Sequence, residues 1–253
     1  MESFAAYLNA YRVPEGGLGL FWLGQAGFAF KDHEGALLAV DPYFSDCCNR
    51  YFGFRRLIPY LLTPYDVAFD GIVCTHAHYD HFDPDAIPQA LANGRTKLFA
   101  ACDCRAECER LHIQENVTYI RPGDRAECCG FGITAVKCDH GPDTPDAVGL
   151  LIERAGRRIY IMGDTCLHRD YLENPLLQKP DVLILPINGA FGNLNEREAA
   201  EVCKALKPAL AIPCHFGNFA EHGGNPGLYA EIMKGEAPDV AYRLMRVGEG
   251  FLC

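Results

Sequence analysis

The chain has 253 residues, and 33 Asp and Glu against 23 Lys and Arg give it a formal net charge of −10. A composition that is 49% hydrophobic and 22% charged is typical of an ordinary globular protein. The acidic balance argues against long nucleic acid as a partner, because such binding needs a basic surface. No apolar run reaches the length of a membrane span, and the N-terminus lacks the features of a secretory signal. We therefore expect a cytoplasmic protein whose thirteen cysteines are reduced thiols.

The first part of the chain alternates short apolar strands with turn residues. Four strands are predicted there, at Leu18–Leu23, Phe28–Lys31, Ala36–Val40 and Gly71–Thr75. The first two flank the sequence Gly24–Gly27, which predicts a hairpin. Asp83 and Pro84 then form an N-cap and N1 pair for a helix that ends before Gly94.

The rest of the chain continues this pattern. Strands are predicted at Lys97–Ala101, Val117–Ile120, Ile133–Lys137, Leu150–Arg154, Arg158–Met162, Val182–Leu185, Leu210–Pro213 and Tyr242–Val247. Helices are predicted at Asp103–Leu111, from a capping box at Asn195 and Glu198 to Leu206, and at 226–234. Because no linker interrupts the pattern, we expect a single domain over residues 1–253, with two packed sheets covered by helices.

The strongest chemical signal is a cluster of potential metal ligands that follows the predicted strand Gly71–Thr75. His76 and His78 are separated by one residue, so on an extended chain their side chains point to the same side. Asp80 and His81 come where the chain leaves the strand and can turn toward a second ion. Imidazole and carboxylate ligands suit Zn, Mn or Fe(II). A polar loop with coincidental histidines is the alternative, and this density of ligands disfavours it.

This cluster resembles the signature of the metallo-β-lactamase superfamily. The resemblance implies an α/β (α+β) fold, namely a four-layer αββα sandwich, and it implies four further residues at strand ends: Asp41, His140, Asp164 and His215. It assigns two metal ions per chain, one to His76, His78 and His140 and one to Asp80, His81 and His215. Asp164 would bridge both ions, and Asp41 would orient a ligand histidine.

Three further segments are similar to the L-ascorbate-6-phosphate lactonase branch of that superfamily: Trp22–Phe28, Asp80–Pro84 and Pro145–Gly149. This resemblance implies that a hydroxide bridging two metal ions opens an ester, foremost a sugar lactone or a phosphorylated sugar lactone. Asp80 and Asp164 would be the catalytic carboxylates. Two alternatives stay open, a phosphodiesterase of the same fold acting on a small phosphodiester and a mononuclear iron oxidoreductase.

Substrate contacts are less strongly indicated. Arg50, Arg55 and Arg56 follow Asp41 closely and are candidates for binding a phosphate or carboxylate, although a solvated face is the favoured explanation for them. Asn188 and His222 are further candidates for substrate contact, because Asn188 follows a predicted strand and His222 lies in a Gly-rich loop. The alternatives are an ordinary loop residue for Asn188 and a surface histidine for His222. We expect a small-molecule ester as the substrate, with anionic esters among the candidates, and a homo-oligomer remains open.

Overall fold

The computed structural model describes residues 3–253 and contains thirteen strands within them. In chain order they are β1 (Gly19–Gly24), β2 (Gly27–Lys31), β3 (Leu37–Val40), β4 (Gly71–Cys74), β5 (Lys97–Ala101), β6 (Val117–Ile120), β7 (Arg125–Cys128), β8 (Phe131–Lys137), β9 (Val148–Arg154), β10 (Arg157–Ile161), β11 (Val182–Pro186), β12 (Leu210–Cys214) and β13 (Gly250–Leu252).

The strands form two mixed sheets. The first has seven strands in the order β13-β1-β2-β3-β4-β5-β6, with antiparallel pairs up to β3 and parallel pairs from β3 onward. The second has six strands in the order β12-β11-β10-β9-β8-β7, with parallel pairs between β10 and β12. Parallel neighbours matter for the site, because the carboxyl ends of such strands meet at one edge of a sheet.

Seven α-helices cover the sheets: α1 (Phe4–Ala10), α2 (Cys47–Phe52), α3 (Ile87–Leu91), α4 (Arg105–Arg110), α5 (Arg169–Glu173), α6 (Glu196–Leu206) and α7 (Pro226–Glu236). Two short 3₁₀ segments, Cys102–Cys104 and Pro175–Leu177, complete the regular structure of the described residues. Within residues 3–253, no helix combines the length and the apolar character needed to cross a membrane.

Strand β11 shows how the layers stack. Val182 and Ile184 face the core between the two sheets, whereas Leu183 and Leu185 face the core beneath the outer helices. This alternation follows from the two-residue period of a strand, and both faces are buried because helices cover the outside. The four-layer αββα sandwich predicted from the sequence is thereby confirmed.

Most strand predictions agree with the structure, but the one at Tyr242–Val247 is wrong. Only Tyr242 pairs there, through an isolated bridge to Ala211, and the last strand is β13 instead. Helices α1, α2 and α5 and strand β7 were not predicted. The helix expected to start at Pro84 begins at Ile87, after a turn in which the Asp83 side chain accepts the N–H groups of residues 85 and 86.

Candidate metal centre

The candidate ligands lie in four segments, each of which directly follows a strand. His76, His78, Asp80 and His81 follow β4, while His140, Asp164 and His215 follow β8, β10 and β12. A tight turn directs the first segment inward, since the N–H groups of His81 and Phe82 donate to the carbonyl of His78 at 2.9 and 2.7 Å. The residues are therefore brought together by strand order, with ligands from both sheets.

Three histidines form a first group of converging nitrogens. Nδ1 of His78 lies 3.0 Å from Nε2 of His76 and 3.1 Å from Nε2 of His140. His76 and His140 are buried, and His78 is half-buried. The three ligand atoms can therefore meet a single cation.

A second group consists of Asp80, His81, His215 and Asp164. Nε2 of His215 lies 3.3 Å from Oδ2 of Asp80, 3.1 Å from Oδ2 of Asp164 and 3.2 Å from Nε2 of His81. Nε2 of His81 lies 3.6 Å from Asp80 and 3.5 Å from Asp164. Tetrahedral ligands about 2.0–2.1 Å from a zinc ion lie about 3.3 Å apart, so these separations fit a divalent cation.

Asp164 lies between the two groups, because its Oδ2 is also 3.7 Å from Nε2 of His140. This carboxylate is buried and ionisable, and its Oδ2 accepts a 2.6 Å hydrogen bond from Nδ2 of Asn193. Among the described residues, Asp164 is thus the carboxylate shared by both sets of histidines.

Asp41 holds His81, a member of the second group, through the ring nitrogen that does not face the other ligands. Its Oδ2 lies 2.8 Å from Nδ1 of His81, and its two oxygens also accept the Thr75 N–H at 2.8 Å and the Thr75 hydroxyl at 2.6 Å. An Nδ1–H that donates to Asp41 leaves the lone pair of Nε2 free to bind a cation. The backbone of Asp41 is left-handed, with φ of +46°, which turns the chain sharply as it leaves β3.

The two groups of histidines differ in their pKa values and therefore in their charge. Burial lowers the pKa values of His76 and His78, and lowers the pKa of His140 to about 4, so this group is neutral. Burial also acts against charge on His81 and His215, but the carboxylates outweigh it, raising the pKa of His81 well above its usual value and that of His215 to about 9.

The two carboxylates of the cluster respond in the opposite sense. Burial acts to raise the pKa values of Asp80 and Asp164, but His81 and His215 outweigh it and hold both values well below the usual range. Both side chains are therefore ionised near neutral pH. Ionised carboxylates together with imidazole nitrogens are the donor set that zinc and manganese accept.

The three arginines predicted near the metal rim are not brought to this site. Arg50 pairs with Asp85, and its side chain is 58% exposed. Arg56 donates to two backbone carbonyls at 3.1 and 3.3 Å, and with Arg55 it lines a separate surface depression. These guanidinium groups already have partners or face solvent, because α2 and the segment after it direct them away from the histidines.

The two other candidates for substrate contact lie in different places. Asn188 is buried, donates to the carbonyl of Ala190 at 3.2 Å and does not line the cavity beside the cluster. His222 does line the cavity, and its ring stacks on His215 with centroids 4.9 Å apart and planes 7° apart. Burial and His215 lower the pKa of His222 to about 4, so this ring is neutral.

Sequence analysis missed Gln25 as a site residue. The buried side chain of Gln25 donates from Nε2 to Oδ2 of Asp80 at 2.8 Å. The backbone carbonyl of Gln25 accepts the N–H of His215 at 3.0 Å. Its Oε1 has no hydrogen-bond partner among the described residues. The available signal was a polar residue in the otherwise apolar Trp22–Phe28 hairpin, which by itself does not indicate where the side chain points.

A cavity of about 570 Å³ opens beside the cluster, and it too was not predicted. Five aromatic side chains, here called the aromatic wall, line it: Phe52, Phe54, Tyr79, Phe191 and Phe219. They come from α2, the segment after it, and the loops that follow β4, β11 and β12. No local pattern in the sequence links such distant aromatic residues.

Two mixed sheets with histidines and aspartates at their strand ends define a protein of the metallo-β-lactamase fold. Residues 19–215 match a family model described as "Beta-lactamase superfamily domain". A UPF0173 metal-dependent hydrolase from a Polaromonas species is 31% identical over 241 residues, which cover 85% of this chain and 82% of the relative. The chain therefore belongs to the metallo-β-lactamase superfamily and, within it, to the UPF0173 family of metal-dependent hydrolases.

Solved structures show the same fold at lower identity. Igni18, a metallo hydrolase from Ignicoccus hospitalis, superposes with a TM-score of 0.74 at 23% identity and covers 94% of this chain and 98% of its own. An isothiocyanate hydrolase from Delia radicum gut bacteria has a TM-score of 0.74 at 19% identity, with 92% and 98% covered. At these identities the similarity shows the fold alone. The substrate of this chain has to be inferred from its own residues.

Proposed function

We propose that this chain uses two divalent cations to hydrolyse a small-molecule ester, foremost a lactone. The observation that carries the proposal is the pair of converging donor groups with Asp164 between them. Oδ2 of Asp164 lies 3.1 Å from the ligand nitrogen of His215 and 3.7 Å from that of His140. One oxygen within reach of both groups is what a dinuclear site requires of its bridging ligand.

The residues divide the ligand role between them. One cation would be held by His76, His78 and His140, the other by Asp80, His81 and His215, with Asp164 shared. When bound, such ions would supply a water nucleophile that is ionised near neutral pH and a Lewis acid for the ester carbonyl. Zn and Mn are the favoured ions, and Fe(II) accepts the same ligands.

The other polar residues of the cluster position these groups. Asp41 fixes the ring of His81, and Asn193 fixes the carboxylate of Asp164. Asp80 is ionised, and its Oδ2 accepts from Gln25 at 2.8 Å and lies 3.3 Å from Nε2 of His215, so its Oδ1 has lone pairs that could orient the hydroxide or take up its proton. Asp80 and Asp164 are therefore the carboxylates we propose for proton handling.

The charge of the cavity favours an uncharged ester over a phosphorylated sugar lactone. Within residues 3–253, no Lys or Arg is among the side chains that line the cavity. A phosphate group remote from the reacting ester normally needs such a partner, and the described residues of this cavity offer none. This argument does not extend to a small phosphodiester, whose phosphate would lie at the cations themselves. The aromatic lining of the cavity is the reason a neutral lactone is the substrate class we favour.

Elemental analysis combined with a substrate panel tests this function. Protein purified without chelator should contain about two Zn or Mn ions per chain. It should hydrolyse neutral lactones faster than phosphodiesters, lose this activity with a chelator and regain it with Zn or Mn. A single iron per chain, or activity on phosphodiesters alone, would contradict the proposal.

A further inference from the structure

The aromatic wall is a connected surface. Phe54 is its centre, with ring centroids 5.8 Å from Phe191, 6.0 Å from Phe219 and 6.4 Å from Phe52. Phe52 in turn lies 5.5 Å from Tyr79. These separations fall within or near the range of contacting aromatic pairs. The wall therefore offers one continuous apolar face along the cavity.

This face reaches the metal cluster through His222. The His222 ring lies 5.9 Å from Phe54, 5.2 Å from Phe191 and 5.1 Å from Phe219. On its other side it stacks against His215, a candidate ligand. A molecule whose reacting group lies at the cluster would therefore have its adjoining part against the wall.

The outer part of the wall is largely exposed to solvent. Phe52 is 59% exposed and Phe191 is 57% exposed, at the open end of the cavity. Large apolar groups gathered beside a polar reaction centre are a typical sign of a ligand-binding cleft. No Lys or Arg of the described residues lines the cavity, and Arg110 contacts the wall only at the Tyr79 hydroxyl, 3.5 Å from its Nη2.

Building on the proposed ester hydrolysis, we propose that the aromatic wall binds an apolar alkyl or aryl substituent of the substrate. The ester group would then lie at the histidine and aspartate cluster, with the substituent along Phe54 toward Phe191. The substrate class is a neutral ester or lactone that carries a hydrophobic chain or ring. Phe54 and Phe191 are its specificity-determining residues.

Two lactones that differ only in chain length test this inference. δ-Decalactone and δ-hexalactone share the same ring and the same secondary alcohol as leaving group, but the first carries four more methylene groups. Burial of those groups on the wall should raise kcat/KM for δ-decalactone by about 10- to 100-fold. 6-Phosphogluconolactone should be the poorest of the three substrates.

Variants of the wall locate the effect. Phe54→Ala and Phe191→Ala should each reduce the ratio of the two kcat/KM values by about 5- to 10-fold, because δ-decalactone should lose more than δ-hexalactone, while metal content stays near wild type. Phe54→Leu should restore most of the ratio. Leu57→Ala is the matched control, because Leu57 is 59% exposed in the same segment but does not line the cavity.

Binding measurements separate this inference from the proposed hydrolysis. The corresponding lactams are inert, so calorimetry on the metal-loaded protein reports binding without turnover. Tighter binding of the pentyl lactam than of the methyl lactam, lost in Phe54→Ala, supports the wall even if no lactone is hydrolysed. Equal binding of the two lactams, or a ratio of kcat/KM near one in the wild type, would overturn the inference.

Discussion

Asp164 is the side chain on which both groups of the candidate centre depend. Replacement by Ala removes the one carboxylate placed between them, and we expect both metal ions to be lost or greatly weakened. Because loss of an outer hydrogen-bonding partner already costs about 10- to 100-fold, loss of a shared ligand should lower hydrolysis by more than about 100-fold. Metal analysis and lactone turnover measure this.

The matched control for Asp164→Ala is Asp239→Ala, which removes an exposed carboxylate after α7. Circular dichroism should show the same fold in both variants, since Asp164 follows β10 without forming part of it. Full activity of Asp164→Ala would rule out its bridging role.

The two groups of histidines should respond differently to pH. His81 and His215 have raised pKa values, that of His215 being about 9, so a cation must displace their protons, and its affinity should increase up to about pH 9. The pKa of His140 is lowered to about 4, so the first group should bind with little change between pH 6 and pH 9. Each proton released changes affinity by about 10-fold per pH unit.

Cobalt titrations at pH 6 and pH 8.5, followed by absorbance, measure this difference. We expect two bound ions at the higher pH and a much weaker second ion at the lower pH. Two ions with the same pH dependence would show that these protonation states do not control uptake.

Individual residues of the site differed in how far the sequence could predict them. His76, His78, Asp80 and His81 lie within six positions, so local spacing alone indicates a metal site. His140, Asp164 and His215 come from distant strands, and only the family resemblance connected them. Gln25 and the aromatic wall depend on how loops from both sheets pack together, which no local periodicity encodes.

Among the elements, α6 has the best-defined start. The Asn195 side chain accepts the N–H groups of Arg197 and Glu198, and the Glu198 carboxylate accepts the N–H of Asn195 at 2.9 Å. Asn195→Ala should lower the free energy of unfolding by about 1 kcal/mol, and Tm by about 2–4 °C. Thermal unfolding measures the shift.

Glu201→Ala is the control for this prediction, because Glu201 is exposed in the same helix and takes no part in its cap. It should leave Tm within about 1 °C. An equal loss in both variants would indicate a general effect of substitutions in α6 and would contradict the capping argument.

The element predictions succeeded where local chemistry was sufficient. The capping box at Asn195 was read correctly, because its partners lie three residues apart in the chain. The strand at Tyr242–Val247 failed because a strand needs a neighbour, and beyond the bridge at Tyr242 this segment has none. Helix α2 was missed because its sequence, Cys47–Phe52, is too short to show a helical period.

At the scale of the molecule, the candidate centre joins the two sheets, since ligands follow β4 in one and β8, β10 and β12 in the other. Cations that bind only the folded state should stabilise it by about 2.7 kcal/mol per site at 100 times Kd. We therefore expect removal of metal by a chelator to lower Tm by at least about 5 °C.

Thermal unfolding at increasing zinc concentration tests this expectation, with Asp164→Ala as the comparison. The wild-type Tm should rise with zinc, whereas the variant should respond weakly. A wild-type Tm independent of zinc would show that the two sheets hold together without help from the cations.

The order of the ligands along the chain has a consequence for biosynthesis. During translation, four candidate ligands leave the ribosome almost together, namely His76, His78, Asp80 and His81. His140 follows much later, and His215 later still. A domain folds as its segments leave the ribosome during synthesis, and contacts between segments that are distant in sequence form last. With the proposed two ions, neither could be fully enclosed before His140 and His215 have been synthesised, and the nascent protein would acquire its complete metal complement only after most of these 253 residues have been translated.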